Sequence, residues 1–241
     1  MEERGTPAYV AEFIGTFFLV LFILMVVSVN SPGGLQFTDF AVIGLVHAFI
    51  LAMLVYSLGG TSGAHFNPAV TAALAGLRKI APLDALIYWL VQLSGAVAAA
   101  LVTKLLLLDE GKGVNYGAAT VSEKVLQGKA LSGLLCEVIG TFVLMWAIMG
   151  VAVNPRGERA WAGWVIGIAL GAAVLVFAPL DGAGFNPARW FGPAIVSGEF
   201  ADWWVYVIGP VIGAMLAGFG YKALVLDTHD REGAAPIETL D

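Results

Sequence analysis

Six apolar stretches dominate the chain, over residues 9–29, 40–58, 83–107, 131–151, 161–180 and 203–226. Each approaches the ~20 residues a helix needs to cross the hydrocarbon core of a bilayer. The polar residues collect between them and at the ends. Two further apolar segments, opened by Asn67 and Asn186, run for only about ten residues before Arg78-Lys79 and before Ser197-Gly198-Glu199, too few to span. They predict half-helices that enter the membrane and stop.

The two short segments begin alike. Asn67, Pro68 and Ala69 lie in GAHFNPAVT, and Asn186, Pro187 and Ala188 lie in GAGFNPARW. Asparagine is a strong helix N-cap, and proline suits the first helical position because its missing N–H would have no intrahelical acceptor there. Upstream stand small residues, Gly59-Gly60-Thr61-Ser62-Gly63-Ala64 in one copy and Gly182-Ala183-Gly184 in the other, which predicts extended backbone in a confined space. Non-helical backbone at membrane depth survives only where it is buried or lines a wet cavity.

The duplication extends along both halves. AEFIGTFFLV around Glu12 recurs as CEVIGTFVLM around Glu137. Gly44, Ala48 and Ala52 match Gly163, Gly167 and Gly171, and Gly95, Ala96 and Ala99 match Gly213, Ala214 and Ala217, all at nearly constant offset. Each half reads span, span, half-helix, span. Three crossings per half is an odd number, so the second half sits upside down and its half-helix dips in from the opposite face. The expected fold is an all-α membrane protein of six transmembrane helices and two re-entrant half-helices in an inverted repeat. Its parts are a tail over residues 1–7, a first repeat over 8–107, a connecting loop over 108–130 that runs over one face, a second repeat over 131–226, and a charged tail over 227–241 expected to be disordered. The small residues at helical spacing let backbones approach closely inside a membrane.

Composition agrees. Apolar residues make up 59% of the chain and charged ones 12%, against ~45–50% and ~25% in soluble domains, and the mean hydropathy is +0.85. The first span is read as a span and not a cleavable signal, because its motif recurs in mid-chain. The net charge of −6 comes largely from loops and ends and points to no nucleic-acid partner. The lone cysteine, Cys136, can form no internal disulfide. With the N-terminus inside, Arg4, Arg78, Lys79, Arg156, Arg159, Lys222 and Arg231 fall on the cytoplasmic side, whereas Lys112, Lys124 and Lys129 fall outside. The balance favours both termini in the cytoplasm.

The paired FNPA segments, the duplicated E-x-I-G-T-F motif and the inverted repeat resemble the major intrinsic proteins, the aquaporin and aquaglyceroporin family. The resemblance covers roughly residues 8–226. It implies a passive channel for water and small neutral solutes, embedded in a lipid bilayer, plasma (inner) membrane by expectation, and assembled as a homotetramer with one pore per protomer. No cofactor and no metal ligand set is implied. Asn67 and Asn186 then offer side-chain donors at the pore centre, and the loop carbonyls of residues 63–66 and 182–185, with Gly63, Ala64, His65, Gly182 and Gly184 among them, form an acceptor ladder. Arg189 follows the second motif directly and matches the arginine of the family's selectivity filter. An intramembrane charge is a functional candidate in its own right.

By spacing from the motifs, the resemblance places His47, Val174 and Ala183 at the other three filter positions. In an arbitrary apolar helix, a histidine such as His47 is more often one satisfied within the bundle. The set His, Val, Ala, Arg departs from bacterial water channels, which carry an aromatic at the His47 position and histidine at the Val174 position, and is closer to the plant vacuolar intrinsic proteins. Trp190 stands where glycerol facilitators have aspartate, and Val207 where water-selective members carry an aromatic. Strict water selectivity, glycerol transport and a non-conducting scaffold on the same fold stay open as alternatives. In the family, Glu12 and Glu137 accept backbone hydrogen bonds from the re-entrant loops, and His65 lines the inner vestibule. An enzyme is disfavoured: the three histidines are scattered, and there is one cysteine and no H-E-x-x-H motif.

Overall fold

The computed structural model describes residues 4–30 and 35–228. The tail expected to be disordered lies almost wholly outside them, and its first two residues, Asp227 and Thr228, are helical. No strand occurs among the described residues. The helices are α1 (Thr6–Val29), α2 (Phe37–Ser62), α3 (Pro68–Gly76), α4 (Pro82–Leu106), two short ones, α5 (Leu108–Lys112) and α6 (Glu123–Leu126), then α7 (Ala130–Ile148), α8 (Ala162–Asp181), α9 (Pro187–Ser197) and α10 (Trp203–Tyr221). π-Helical turns, Met149–Val153 and Lys222–Leu226, prolong α7 and α10. Among the described residues six helices are long and apolar enough to cross a membrane, and α3 and α9, with 9 and 11 residues, are not.

The half-helices start where the asparagines direct. Asn67 and Asn186 have extended backbone (φ −154° and −155°), and each side-chain oxygen accepts the N–H two residues on, at 2.9 Å from Ala69 and from Ala188. The expected extended run upstream is shorter in the first repeat. Gly59, Gly60, Thr61 and Ser62 continue α2, and the helix stops only at Gly63, which turns left-handed at φ +88° and returns its N–H to the Gly59 carbonyl at 2.9 Å. Glycine composition weakens a helix without ending it; the left-handed cap ends it.

Packing follows the repeat. α1 lies on α2 and α4, α7 on α8 and α10, and α2 pairs with α8 at the centre. α9 packs chiefly on α4 and α3 chiefly on α10, so each half-helix rests on the last span of the other repeat. Small residues permit these approaches: a Cβ on Gly95 would stand 2.6 Å from the Phe13 carbonyl oxygen, and one on Gly213 would strike that of Val138. Large apolar side chains such as Phe22, Leu45, Leu90, Leu101 and Ile168 face outward, as a lipid-facing surface requires.

The connecting segment does not merely run over a face. Tyr116, Gly117, Ala119 and Val121 are buried, and the Ser122 N–H donates to the Leu180 carbonyl at 2.9 Å.

Candidate functional site

Two glutamates, both fully buried, hold the re-entrant loops. Glu12 accepts the N–H groups of His65 (2.9 Å) and Phe66 (2.7 Å), and Glu137 those of Gly184 and Phe185 (both 2.6 Å). These bonds fix backbone in a sparsely populated conformation. Ala64 and Phe66 have φ of +52° and +48°, and Ala183 and Phe185 of +49° and +53°, which for non-glycine residues costs of order 1–3 kcal/mol each.

The loops meet through the asparagines. Asn67 Nδ2 donates to the Phe185 carbonyl and Asn186 Nδ2 to the Phe66 carbonyl, both at 2.8 Å. Each amide is thereby fixed at its oxygen by the cap and at its nitrogen by the other repeat. One N–H per amide remains for a solute. The carbonyls of Phe66 and Phe185 each take one bond from an asparagine of the other repeat.

Arg189 sits on the first turn of α9, 3% exposed, with Nη1 donating to the Gly117 carbonyl at 2.8 Å and Nη2 to that of Gly182 at 3.4 Å. Its Nε has no partner among the described residues. His47 Nδ1 lies 2.8 Å from the Ile43 carbonyl oxygen. A carbonyl only accepts, so Nδ1 carries the hydrogen, and Nε2, also without a partner, is an acceptor in the neutral ring. Donor and acceptor therefore line the same passage.

That passage is a narrow cavity of ≈ 20 Å³ whose wall includes His47, Arg189, Asn67, Asn186, His65 and Gly184. A space of this size has room for a single water. It joins two wider mouths. One, of ≈ 320 Å³, lies at the face away from the termini, with Arg189, Gly182 and Gly117 on its wall. The other, of ≈ 550 Å³, opens at the face carrying the termini and shares Ala64, His65, Val70, Ile148 and Ile166 with the narrow part. The N-termini of α3 and α9 converge on it, each carrying roughly half a positive charge.

The family model for major intrinsic proteins matches residues 3–221. The chain belongs to the major intrinsic protein family. Among curated relatives it is 37% identical to a probable aquaporin TIP2-1 of Oryza sativa subsp. japonica over 93% of this chain and 90% of that one. It is 36% identical to aquaporin NIP1-1 of Zea mays (89% and 73%) and 35% identical to aquaporin AqpM of Methanothermobacter thermautotrophicus (91% and 97%). The fold matches the X-ray structure of the aquaglyceroporin from Plasmodium falciparum with a TM-score of 0.79, at 21% identity, over 93% of this chain and 98% of that one. This major intrinsic protein is thus an integral membrane protein and a passive channel for water and small solutes, in a family of channels and not of enzymes.

The channel brings most of the residues singled out from sequence to one axis. Gly63, Ala64, His65, Gly182 and Gly184 all border the passage or its mouths, and His65 faces the mouth at the termini side. Val174 and Ala183 are buried but are not among the residues lining the three cavities. Trp190 turns away into the core and stacks on Tyr206, with ring planes 7° apart. Sequence reading missed Gly117, whose carbonyl anchors Arg189, and the polar residues around Glu12. Of these, Ser62 and Gln92 donate to it at 2.6 and 2.8 Å, and Thr71 accepts a second bond from Gln92 at 3.0 Å.

Proposed function

We propose that the channel passes water together with small neutral solutes of somewhat larger size or lower polarity, ammonia first and then urea and hydrogen peroxide, while rejecting protons and alkali cations. The observation that carries this is the pairing on one narrow wall of the Arg189 donors with the His47 Nε2 acceptor. The filter is read as His47, Val174, Ala183 and Arg189. Val174 and Ala183 carry small apolar side chains that stay back from the passage, so one side lacks the bulky polar ring of a strict water filter. A cation would have to shed its hydration beside Arg189 and two converging helix N-termini.

Asn67 and Asn186 then hand the solute a pair of donors halfway along, and Pro68, Ala69, Pro187 and Ala188 shape the turns that aim them. The face with the termini is assigned to the cytoplasm on the clustering there of Arg78, Lys79, Arg156, Arg159 and Lys222, and the membrane to the plasma (inner) membrane. The passage is enclosed within one chain, which supports one pore in each protomer of the homotetramer assigned here.

Stopped-flow light scattering on proteoliposomes tests the reading. An osmotic step with sucrose measures water, and inward gradients of ammonia, urea and glycerol measure the rest. Water and ammonia permeability above bare lipid is expected. Water flux without ammonia flux would make this a strict water channel, and no flux of either a non-conducting scaffold.

A further inference from the structure

The two repeats hang their loops on a glutamate in the same way but supply it with different donors. Glu12 accepts four hydrogen bonds, on Oε1 from Ser62 Oγ and the His65 N–H and on Oε2 from the Phe66 N–H and Gln92 Nε2. That fills the roughly four lone-pair sites of a carboxylate. Among the described residues, Glu137 receives only the N–H groups of Gly184 and Phe185. In the register that pairs Gly95 with Gly213, the place of Gln92 is taken by Pro210, which has no donor, and in the register that pairs Asn67 with Asn186 that of Ser62 is taken by Asp181.

Asp181 otherwise reproduces Ser62 bond for bond. Its Oδ1 accepts the Ala183 N–H at 3.0 Å, as Ser62 Oγ accepts that of Ala64 at 3.0 Å. Its carbonyl accepts the Tyr206 hydroxyl at 2.8 Å, as that of Ser62 accepts the Tyr88 hydroxyl at 2.7 Å. What Ser62 also has is a hydrogen to give its glutamate. Asp181 is fully buried, its Oδ2 has no donor among the described residues, and its Oδ1 and the Glu137 Oε1 accept the N–H groups of two adjacent residues, Ala183 and Gly184. Two ionised carboxylates so placed repel through a poorly screening interior, and neither brings a hydrogen to the other. One proton between them removes both costs, as in other carboxyl pairs that share a site. The other charged or titratable neighbours are Arg189 from α9, Tyr206 from α10 and Cys136 on α7. The guanidinium balances the single charge that remains.

We propose that Asp181 and Glu137 hold one shared proton, the counterpart of the Ser62 hydroxyl hydrogen, and that this proton-bound pair positions the filter loop. It fixes residues 181–185, among which Gly182 presents its carbonyl to Arg189. Asp181 is thus a positioning residue and never meets the solute.

Infrared spectroscopy of the reconstituted wild-type channel near neutral pH tests this. The C=O stretch of a protonated carboxylic acid is expected, and it disappears in both Asp181→Asn and Asp181→Ser, which give Glu137 a hydrogen from a group that is not an acid. Both variants keep water permeability within about twofold of wild type, because each also has an oxygen for the Ala183 N–H, whereas Asp181→Ala loses it several-fold. Absence of the band from the wild type overturns the proposal without recourse to any variant, and so does a band that survives both substitutions. Neither outcome depends on which solutes pass the filter.

Discussion

The ring of Phe66 lies against the bare Cα of Gly15, and a methyl group on that glycine would clash with the ring. Phe185 and Gly140 repeat the relationship in the second half. Both phenylalanines are fully buried and both have left-handed backbone. The contact therefore braces, from the side-chain end, the conformation that the two glutamates hold from the backbone end.

Gly15→Ala and Gly140→Ala are accordingly expected to lower thermal stability in detergent by about 1–3 kcal/mol or more, the range for overpacking a filled interior. Gly60→Ala serves as control, since a Cβ there meets nothing within 4 Å. Equal unfolding midpoints for all three would contradict the bracing role.

Asn67→Ala and Asn186→Ala each remove a cap and a bond to the opposite loop. Loss of a cap costs about 0.5–2 kcal/mol in soluble helices, and buried orphan N–H groups add to it. Water permeability and thermal midpoint should fall together, by similar amounts in the two variants. A variant with full flux and an unchanged midpoint would show that the cross-loop bonds are dispensable.

Mercurials should block weakly. The only thiol, Cys136, is buried beside Glu137 in α7 and does not border the passage. Osmotic swelling rates with and without mercuric chloride check this, and strong inhibition reversed by reductant would mean that the thiol is reachable from water.

Combining Val174→His with His47→Phe should rebuild a narrower, more polar filter. Ammonia permeability is expected to drop more than water permeability, by roughly tenfold against a few-fold if one constriction governs both. Equal losses would place the discrimination elsewhere.

Much of this architecture was legible because its causes are local. Span length follows from runs of apolar residues, and each half-helix start follows from an asparagine and a proline whose capping chemistry needs no tertiary partner. The inverted packing followed from counting crossings. What sequence reading missed depends on residues far apart in the chain. Nothing in residues 108–130 distinguishes Gly117 as the acceptor for Arg189, and the carbonyls of Phe66 and Phe185 each take one bond from an asparagine of the opposite half. Gly59 to Ser62 stay helical because the Gly63 cap, and not the glycine content before it, sets the end of α2. Val174 and Ala183 could be placed by spacing from the motifs, but spacing does not say which side chain reaches the wall.

The exchange of half-helices between repeats sets an order of manufacture. α3 packs chiefly on α10, where Gly76 meets Phe219 and Met215 and Gly218 meets Leu77, so an early element of the polypeptide must wait for nearly the last. Contacts that join distant parts of a chain form late. The nascent first repeat, threaded into the bilayer alone, holds a short helix with no permanent seat. The passage likewise draws its wall from both repeats, with His47 and Asn67 from the first and Asn186 and Arg189 from the second, so the first repeat alone cannot enclose it.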